Sequence, residues 1–134
     1  MTSGRFDGKV AFVTGAASGI GAEISRQFVR EGATVIGGDI SEENLAVMVA
    51  ELGDSYVPAV VNVTDEAQIE EALGAAVARF GRLDIAVNNA GLSRGAPIVD
   101  LEEAMWDLTV DTVLKGCFLC TKHEARAMRE NATG

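Results

Sequence analysis

The sequence predicts an α/β fold in which helices cover both faces of a doubly wound parallel sheet of about four strands. Four apolar runs alternate with segments of helical periodicity, and the runs are almost continuously apolar, as is typical of strands buried on both faces. A glycine-rich turn also joins the first apolar run to the first helical segment. Because crossover connections are right-handed, the expected strand order is 3-2-1-4.

Each predicted element has its own pattern. The predicted strands are short apolar runs, at Val10–Val13, Thr34–Ile36, Val57–Val61 and Leu83–Val87. Three helices between them are indicated by apolar residues three or four positions apart, which are Ile20, Ile24 and Phe28; Leu45, Met48, Val49 and Leu52; and Ile69, Ala72, Leu73, Ala76, Val77 and Phe80. A longer helix is expected from about Trp106 to Met128. The 134 residues are interpreted as one domain, residues 1–134.

The most informative segment is the turn Thr14–Gly21 directly after the first predicted strand. Gly15 allows a sharp turn, Gly19 allows the backbone to approach a pyrophosphate, and Gly21 allows the new helix to pack closely on the sheet. The first amides of that helix have no intrahelical acceptor and attract anions. A dinucleotide is therefore the leading ligand, and an ordinary strand-to-helix connection is the alternative.

Asp39 follows the second predicted strand, where a carboxylate can accept both ribose hydroxyls of an adenosine. The same carboxylate would repel a 2′-phosphate, and the turn Thr14–Gly21 contains no Lys or Arg to offset that repulsion. NAD is accordingly favoured over NADP as the cofactor. The alternative is that Asp39 is only a charge near the N-terminus of the next helix.

Charge and hydropathy exclude several classes of partner. The chain has 11 basic and 20 acidic residues and a net charge of -9, which repels nucleic acid and anionic membrane surfaces. No apolar stretch approaches the ~20 residues of a membrane span, and no signal peptide is recognisable. We therefore expect a cytoplasmic protein without a nucleic-acid or membrane partner.

A C-x-x-C pair, Cys117 and Cys120, is followed by His123 and raises the question of a metal or redox site. No second pair of ligands accompanies it, and redox C-x-x-C motifs lie at helix starts. Cys117 instead continues an apolar helical stripe through Trp106, Val110, Val113 and Leu114. We expect no metal site, a buried Cys117 and a surface His123.

Four motifs in a fixed order together resemble one enzyme family. They are the glycine turn, Asp39, the run Asn88-Asn89-Ala90-Gly91, and the later segment with Trp106-Asp107 and Leu114-Lys115-Gly116-Cys117-Phe118. This combination resembles the classical short-chain dehydrogenases/reductases, a group of NAD(P)-dependent oxidoreductases with a Rossmann-type fold. The resemblance covers essentially the whole chain.

The resemblance implies a set of cofactor contacts. Gly15, Ser18, Ile20 and Gly21 would line the pyrophosphate, together with Gly19 from the spacing above. Asp39 and Ile40 would contact the adenosine ribose, and Val63 and Asn62 the adenine, with Asn62 standing where the family usually has Asp. Asn89, Ala90 and Gly91 would pass beneath the second ribose and the nicotinamide. The alternative for the Asn-rich run is a turn that satisfies its own backbone.

The catalytic pattern of the family is missing. The resemblance implies a Tyr as general acid/base, a Lys four residues later that lowers the Tyr pKa, a Ser and a relay Asn. The single tyrosine is Tyr56, interpreted as an ordinary strand aromatic, and position 60 is Val60. Val113 occupies the position of the relay Asn, and its side chain cannot form a hydrogen bond. No catalytic residue is therefore assigned.

Two hypotheses follow for function. The first is the amino-terminal, cofactor-binding part of a truncated short-chain oxidoreductase, inactive as written, which would meet a small-molecule substrate only if the missing half were present. The second is a stand-alone, non-catalytic nucleotide-binding or interaction module. The unpaired edge of the fourth strand and the apolar face of the long helix predict self-association or a homo-oligomer.

Overall fold

A computed structural model of the chain describes residues 3–131. The four strands are β1 (Val10–Thr14), β2 (Thr34–Asp39), β3 (Tyr56–Val60) and β4 (Ile85–Val87). The helices are α1 (Gly19–Arg30), α2 (Glu42–Leu52), α3 (Glu66–Phe80), α4 (Glu103–Thr109) and α5 (Gly116–Arg129). A π-helical segment, Val110–Lys115, joins α4 to α5, and short 3₁₀ turns occupy Gly53–Ser55 and Ile98–Asp100.

All strand pairs are parallel, and the strand order is β3-β2-β1-β4. The predicted order 3-2-1-4 is therefore confirmed. Phe12 of β1 lies opposite Ile36 of β2 and Ala86 of β4, so β1 is the strand from which the sheet extends on both sides. The carboxyl ends of the parallel strands consequently meet at one edge of the sheet, where ligands bind in open α/β folds.

Alternate side chains of β1 enter two separate cores. Val10 and Phe12 point to the face that α3 and α5 cover, where they pack with Ile69 and Leu119. Ala11 and Val13 point to the opposite face, which is covered by α1 and α2. Because both faces of each central strand are buried, the sequence of β1 is apolar throughout rather than alternating.

The long helix predicted from Trp106 to Met128 is present but not uniform. Each turn of the π segment Val110–Lys115 contains about one residue more than an α-helical turn, and this rotates the positions that face the sheet. The expected buried stripe is wrong, since Trp106, Val113 and Leu114 are exposed, and the helical spacing that predicted it does not hold across the π segment. Cys117 is exposed as well, and Cys120 is the buried cysteine.

His123 is buried, at 7% exposure, so the predicted surface position is wrong. The residue lies on the face of α5 that packs against α3, and its Nε2 atom is 2.8 Å from Oε1 of Glu66. Lys122 donates to the same oxygen at 2.7 Å. Glu66 therefore holds the start of α3 to the middle of α5.

No helix among residues 3–131 combines the length and the apolar character that a membrane crossing requires. Within the same residues, no three His, Cys, Asp or Glu side chains are grouped so that they could hold a metal ion.

The contacts of Glu66 predict a pH-dependent contribution to stability. Hydrogen bonds from Lys122 and then from His123 lower the pKa of Glu66 to about 2. This pKa is below that of a glutamate in an unfolded chain, about 4.3. Ionised Glu66 therefore contributes its full stabilisation above about pH 4.3, and this stabilisation is lost as the pH falls toward 2. We expect Glu66→Gln to lower the melting temperature at pH 7, and the difference from wild type to shrink between about pH 4.5 and pH 2.

The matched control is Glu70→Gln, which removes the same charge from the same helix. The side chain of Glu70 has no hydrogen bond or ion pair with any residue in the described part of the chain, so this change should leave the melting temperature nearly unaltered. Thermal unfolding followed by circular dichroism measures both variants. If the melting temperature of Glu66→Gln stayed below that of wild type by the same amount down to pH 2, the proposed stabilisation by ionised Glu66 would be contradicted.

Candidate functional site

A cleft of about 630 Å³ opens at the carboxyl ends of the strands, which is a usual size for a small-molecule site. Most residues assigned to the cofactor from the sequence line it, namely Gly15, Ser18, Gly19, Ile20, Asp39, Ile40, Asn62, Val63, Asn89, Ala90 and Gly91. Among residues 3–131, the cleft is also lined by Val61, Thr64, Leu92, Arg94, Leu108 and Thr112. The predicted residues are thus brought together, with Gly21 the exception.

Gly21 lies behind the glycine turn rather than in the cleft. A Cβ atom at this position would be 2.0 Å from the carbonyl oxygen of Gly15, so only glycine lets α1 start this close to the end of β1. Gly15 itself has a positive φ of 63°, a conformation that side chains disfavour. The two glycines together make the abrupt change from strand to helix possible.

The N-terminus of α1 differs from those of α2 and α3. Ser41 and Asp65 cap α2 and α3 with their side chains, and both helices have acidic residues in the first turn. Ser18, at the start of α1, makes no side-chain capping bond, and the first turn of α1 contains no acidic residue. The free amides and the helix dipole at this end of the cleft therefore favour an anion.

Asp39, the last residue of β2, connects the glycine turn to the following helix. Its Oδ2 atom accepts from the amide of Ala17 at 3.1 Å, and its Oδ1 atom accepts from the amide of Ser41 at 3.0 Å. A carboxylate oxygen can accept more than one hydrogen bond, so both oxygens retain acceptor capacity toward the cleft. Asp39 thus orders the loop after β2 and also faces the cleft, which is compatible with both interpretations of this residue.

The side-chain oxygen of Asn62 is used within its own loop. It accepts from the amide of Thr64 at 3.0 Å and from the Thr64 hydroxyl at 2.7 Å. The amide of Asn62 donates to Oε1 of Gln68 at 2.8 Å, which ties the loop to α3. Asn62 therefore shapes the wall of the cleft, and its side-chain oxygen already has two donors.

The loop after β4 is held against the glycine turn by Thr14. The Thr14 hydroxyl accepts from the amides of Asn89 and Ala90, at 3.0 and 2.9 Å. In return, the side-chain amide of Asn89 donates to the carbonyl oxygens of Thr14 and Gly15, at 3.2 and 3.3 Å. The Asn-rich run thus bonds to the neighbouring turn rather than to its own backbone. Sequence reasoning missed Thr14, although a hydroxyl residue ending an apolar strand is a usable signal.

Asn88 anchors the same loop on its other side. Its side-chain amide donates to Oε1 of Glu124 at 2.7 Å and to the hydroxyl of Thr121 at 3.2 Å. Glu124 is 3% exposed, and burial raises the pKa of its carboxyl group. Nothing in the apolar periodicity of α5 indicates a buried acid, and sequence reasoning missed it.

Few ionisable side chains line the cleft in the described part of the chain. Among the described residues that line it, the ionisable side chains are those of Asp39 and Arg94. Tyr56 is 2% exposed and lies beneath the glycine turn. Val113 faces Gly91, with its Cγ2 atom 3.7 Å from where a Cβ of Gly91 would be. Neither Tyr56 nor the side chain of Val113 offers a proton donor to the cleft in the described structure.

Known proteins share this sequence pattern and fold. A family model described as short chain dehydrogenase matches residues 9–134. A 3-oxoacyl-acyl-carrier-protein reductase from Thermotoga maritima is 48% identical over 121 residues, which cover 88% of this chain and 49% of that protein. A mitochondrial borneol dehydrogenase from Lavandula x intermedia is 44% identical over 133 residues, covering 97% of this chain and 50% of that protein.

Solved structures of short-chain dehydrogenases/reductases have the same fold as this chain. A short-chain dehydrogenase/reductase from Burkholderia xenovorans superimposes with a TM-score of 0.87 at 38% identity, over 93% of this chain and 53% of that one. A short-chain dehydrogenase/reductase of the glucose/ribitol dehydrogenase type from Brucella melitensis gives a TM-score of 0.90 at 27% identity, over 95% and 55%. The chain thus spans about half the length of the relatives it matches.

Proposed function

The chain belongs to the short-chain dehydrogenase family, and on this premise we propose that its cleft binds NAD. The family uses NAD(P). The observation that carries the proposal is the pairing of the uncapped N-terminus of α1 with the carboxylate of Asp39 in one cleft. The first favours a pyrophosphate, and the second favours a ribose with free hydroxyls.

The pyrophosphate half of the proposed site fits the backbone of the glycine turn. Gly15, Ser18, Gly19 and Ile20 line the cleft beside the free amides of α1, and Gly21 supports them from behind. Gly15 and Gly19 carry no side chain where they line the cleft, so a diphosphate could approach their backbone closely.

The adenosine half of the proposed site lies beyond Asp39. Asp39 and Ile40 would contact the ribose, while Asn62 and Val63 would form the wall beside the adenine. Ile40 is 72% exposed, which leaves an apolar side chain open to a ring or sugar at the mouth of the cleft. Since Asn62 already has two donors on its side-chain oxygen, we assign it mainly to the shape of this wall.

The opposite end of the proposed site is the loop Asn89–Gly91. Because Thr14 fixes the amides of Asn89 and Ala90, this loop would support the second ribose and the nicotinamide ring. A bound nicotinamide supplies or accepts a hydride at an alcohol or carbonyl carbon. The residues described above would bind and orient it, and they provide no proton for the substrate oxygen.

We therefore propose that residues 1–134 form the dinucleotide-binding half of an oxidoreductase site and do not catalyse turnover by themselves. The two relatives are named as a reductase and a dehydrogenase, and hydride transfer is the chemistry that these two kinds of enzyme share. The full reaction would need a general acid that the lining of this cleft lacks. We propose conversion of a small-molecule substrate only for a protein that also supplies the general acid.

A stand-alone binding or interaction module is the second candidate function, and the exposed apolar surface favours it. Trp106, Leu114 and Phe118 are 57%, 70% and 62% exposed on one continuous helical stretch. β4 is an edge strand whose residues are only partly buried. Both features favour association with another polypeptide, in the first instance a second copy of the chain.

The preference for NAD predicts a difference between two cofactors that differ by one phosphate. Isothermal calorimetry of the wild-type chain should show NADH binding at least about tenfold more tightly than NADPH, because Asp39 repels the 2′-phosphate. Asp39→Asn removes the negative charge, so the Kd values for NADH and NADPH should become more similar. Asp54→Asn removes an equal charge from an exposed turn and should leave the ratio of the two Kd values unchanged. Equal wild-type affinities for NADH and NADPH would contradict the proposal.

The absence of a general acid predicts no turnover. With NAD and a panel of alcohols, the chain should produce NADH no faster than a protein-free control, because general acid/base catalysis contributes about 10²–10⁴ in rate. The measurement is absorbance of NADH over time. Clear activity that is abolished by Gly15→Asp would show that these residues catalyse on their own.

Self-association predicts a concentration-dependent mass. Sedimentation velocity should show species larger than a 14.0 kDa monomer as concentration rises, since Trp106, Leu114 and Phe118 are exposed and β4 is an edge strand. Phe118→Glu should shift the distribution toward monomer by replacing an exposed apolar side chain with a charge. A monomer at all concentrations in the wild type would refute this proposal.

A further inference from the structure

Tyr56 connects the edge strand β3 to the glycine turn. The residue begins β3, which is separated from β1 by β2, yet its hydroxyl donates to the carbonyl oxygen of Ala16 at 3.1 Å. The side chain is 2% exposed and packs in the core beneath α1 and α2. A residue at the start of one strand thus contacts the loop at the end of another.

A glycine in β2 leaves room for this crossing. A Cβ atom at Gly37 would be 2.1 Å from the Tyr56 hydroxyl oxygen and 2.2 Å from the adjacent ring carbon. Val35, two residues earlier on the same face of β2, is fully buried in the same core. Gly37 and Tyr56 therefore form a matched pair, in which the missing side chain of one makes space for the ring of the other.

The peptide group between Ala16 and Ala17 is hydrogen-bonded on both sides, and Tyr56 makes one of the two bonds. The carbonyl of Ala16 and the amide of Ala17 belong to the same peptide plane. Tyr56 holds the carbonyl, and Oδ2 of Asp39 holds the amide at 3.1 Å. With both polar groups of the peptide bound, its rotation about the chain axis is restricted.

This peptide lies between the two halves of the proposed cofactor site. Ser18 follows it directly and starts the segment assigned to the pyrophosphate, while Asp39 is assigned to the ribose. Rotation of the peptide would move the amide of Ala17 away from Asp39 and alter the entry into α1. The orientation of this peptide thus sets the pyrophosphate and ribose contacts relative to each other.

We propose that Tyr56 is a positioning residue for the dinucleotide, holding the Ala16–Ala17 peptide in the orientation that aligns the glycine turn with Asp39. The proposal rests on the function proposed above. Burial and then the charge of Asp39 raise the pKa of the Tyr56 hydroxyl, so it remains a protonated donor at neutral pH. The competing explanation is a buried hydroxyl that finds a nearby acceptor and affects stability alone.

The decisive variant is Tyr56→Phe, which keeps the ring and removes the hydrogen bond. In calorimetry at 25 °C with NADH as the probe, we expect the Kd to rise about three- to tenfold, the range that corresponds to the loss of one hydrogen bond. Amide exchange followed by NMR should show faster exchange at Ala17, because its peptide has lost one of two anchors. This second measurement requires no ligand.

The matched control is Ser25→Ala. Ser25 is fully buried, and its hydroxyl donates to the carbonyl oxygen of Gly21 at 2.8 Å within α1, so the change also deletes a buried hydroxyl-to-carbonyl bond. It should reduce stability while leaving the Kd for NADH and the exchange at Ala17 as in wild type. A stability role alone would make the two variants behave alike.

The possible outcomes separate this inference from the proposed function. Wild-type binding of NADH with an unchanged Kd in Tyr56→Phe would overturn the role of Tyr56 and leave the proposed site standing. Equal loss of affinity in Tyr56→Phe and Ser25→Ala would overturn it as well. Failure of the wild-type chain to bind NADH would overturn the proposed function, and the inference with it.

Discussion

The arrangement of the cleft depends on the contact between the turn after β1 and the loop after β4, and the Thr14 hydroxyl makes that contact. One oxygen accepts from two consecutive amides, those of Asn89 and Ala90, while the side chain of Asn89 returns two bonds to the carbonyls of Thr14 and Gly15. Buried or partly buried backbone groups are costly to leave without partners. The two loops therefore hold each other in place, and the cleft has its shape before any ligand arrives.

A second set of bonds links the glycine turn to β2 and β3. The amide of Ala16 donates to the carbonyl of Gly38 at 3.1 Å, and Asp39 and Tyr56 bind the next peptide. The turn is thus tied to the loop after β4 through Thr14, and to β2 and β3 through Ala16 and Ala17. This rigidity suits a binding site whose ligand is long and whose contacts must agree in spacing. Binding and proton transfer are separable in such a design, since the groups that orient a dinucleotide differ from those that protonate a substrate.

Much of this organisation could be predicted from the sequence, because it depends on local patterns. Apolar runs and helical periodicity predicted the four strands and their order, and the glycine spacing located the turn. Long-range partners could not be predicted in this way. The burial of His123 depends on the packing of α5 against α3, and the exposure of Cys117 depends on a π segment that ordinary helical periodicity does not reveal. The path of Tyr56 across Gly37 likewise requires knowing that β3 lies beside β2.

The most direct test of the central claim is a crystal structure of the chain grown with NADH. We expect the diphosphate of the ligand against the backbone of Ser18–Ile20, the adenosine ribose hydroxyls within hydrogen-bonding distance of Asp39, and the nicotinamide end beside Asn89–Gly91. A dinucleotide bound away from the glycine turn, or an adenosine ribose turned away from Asp39, would contradict the account.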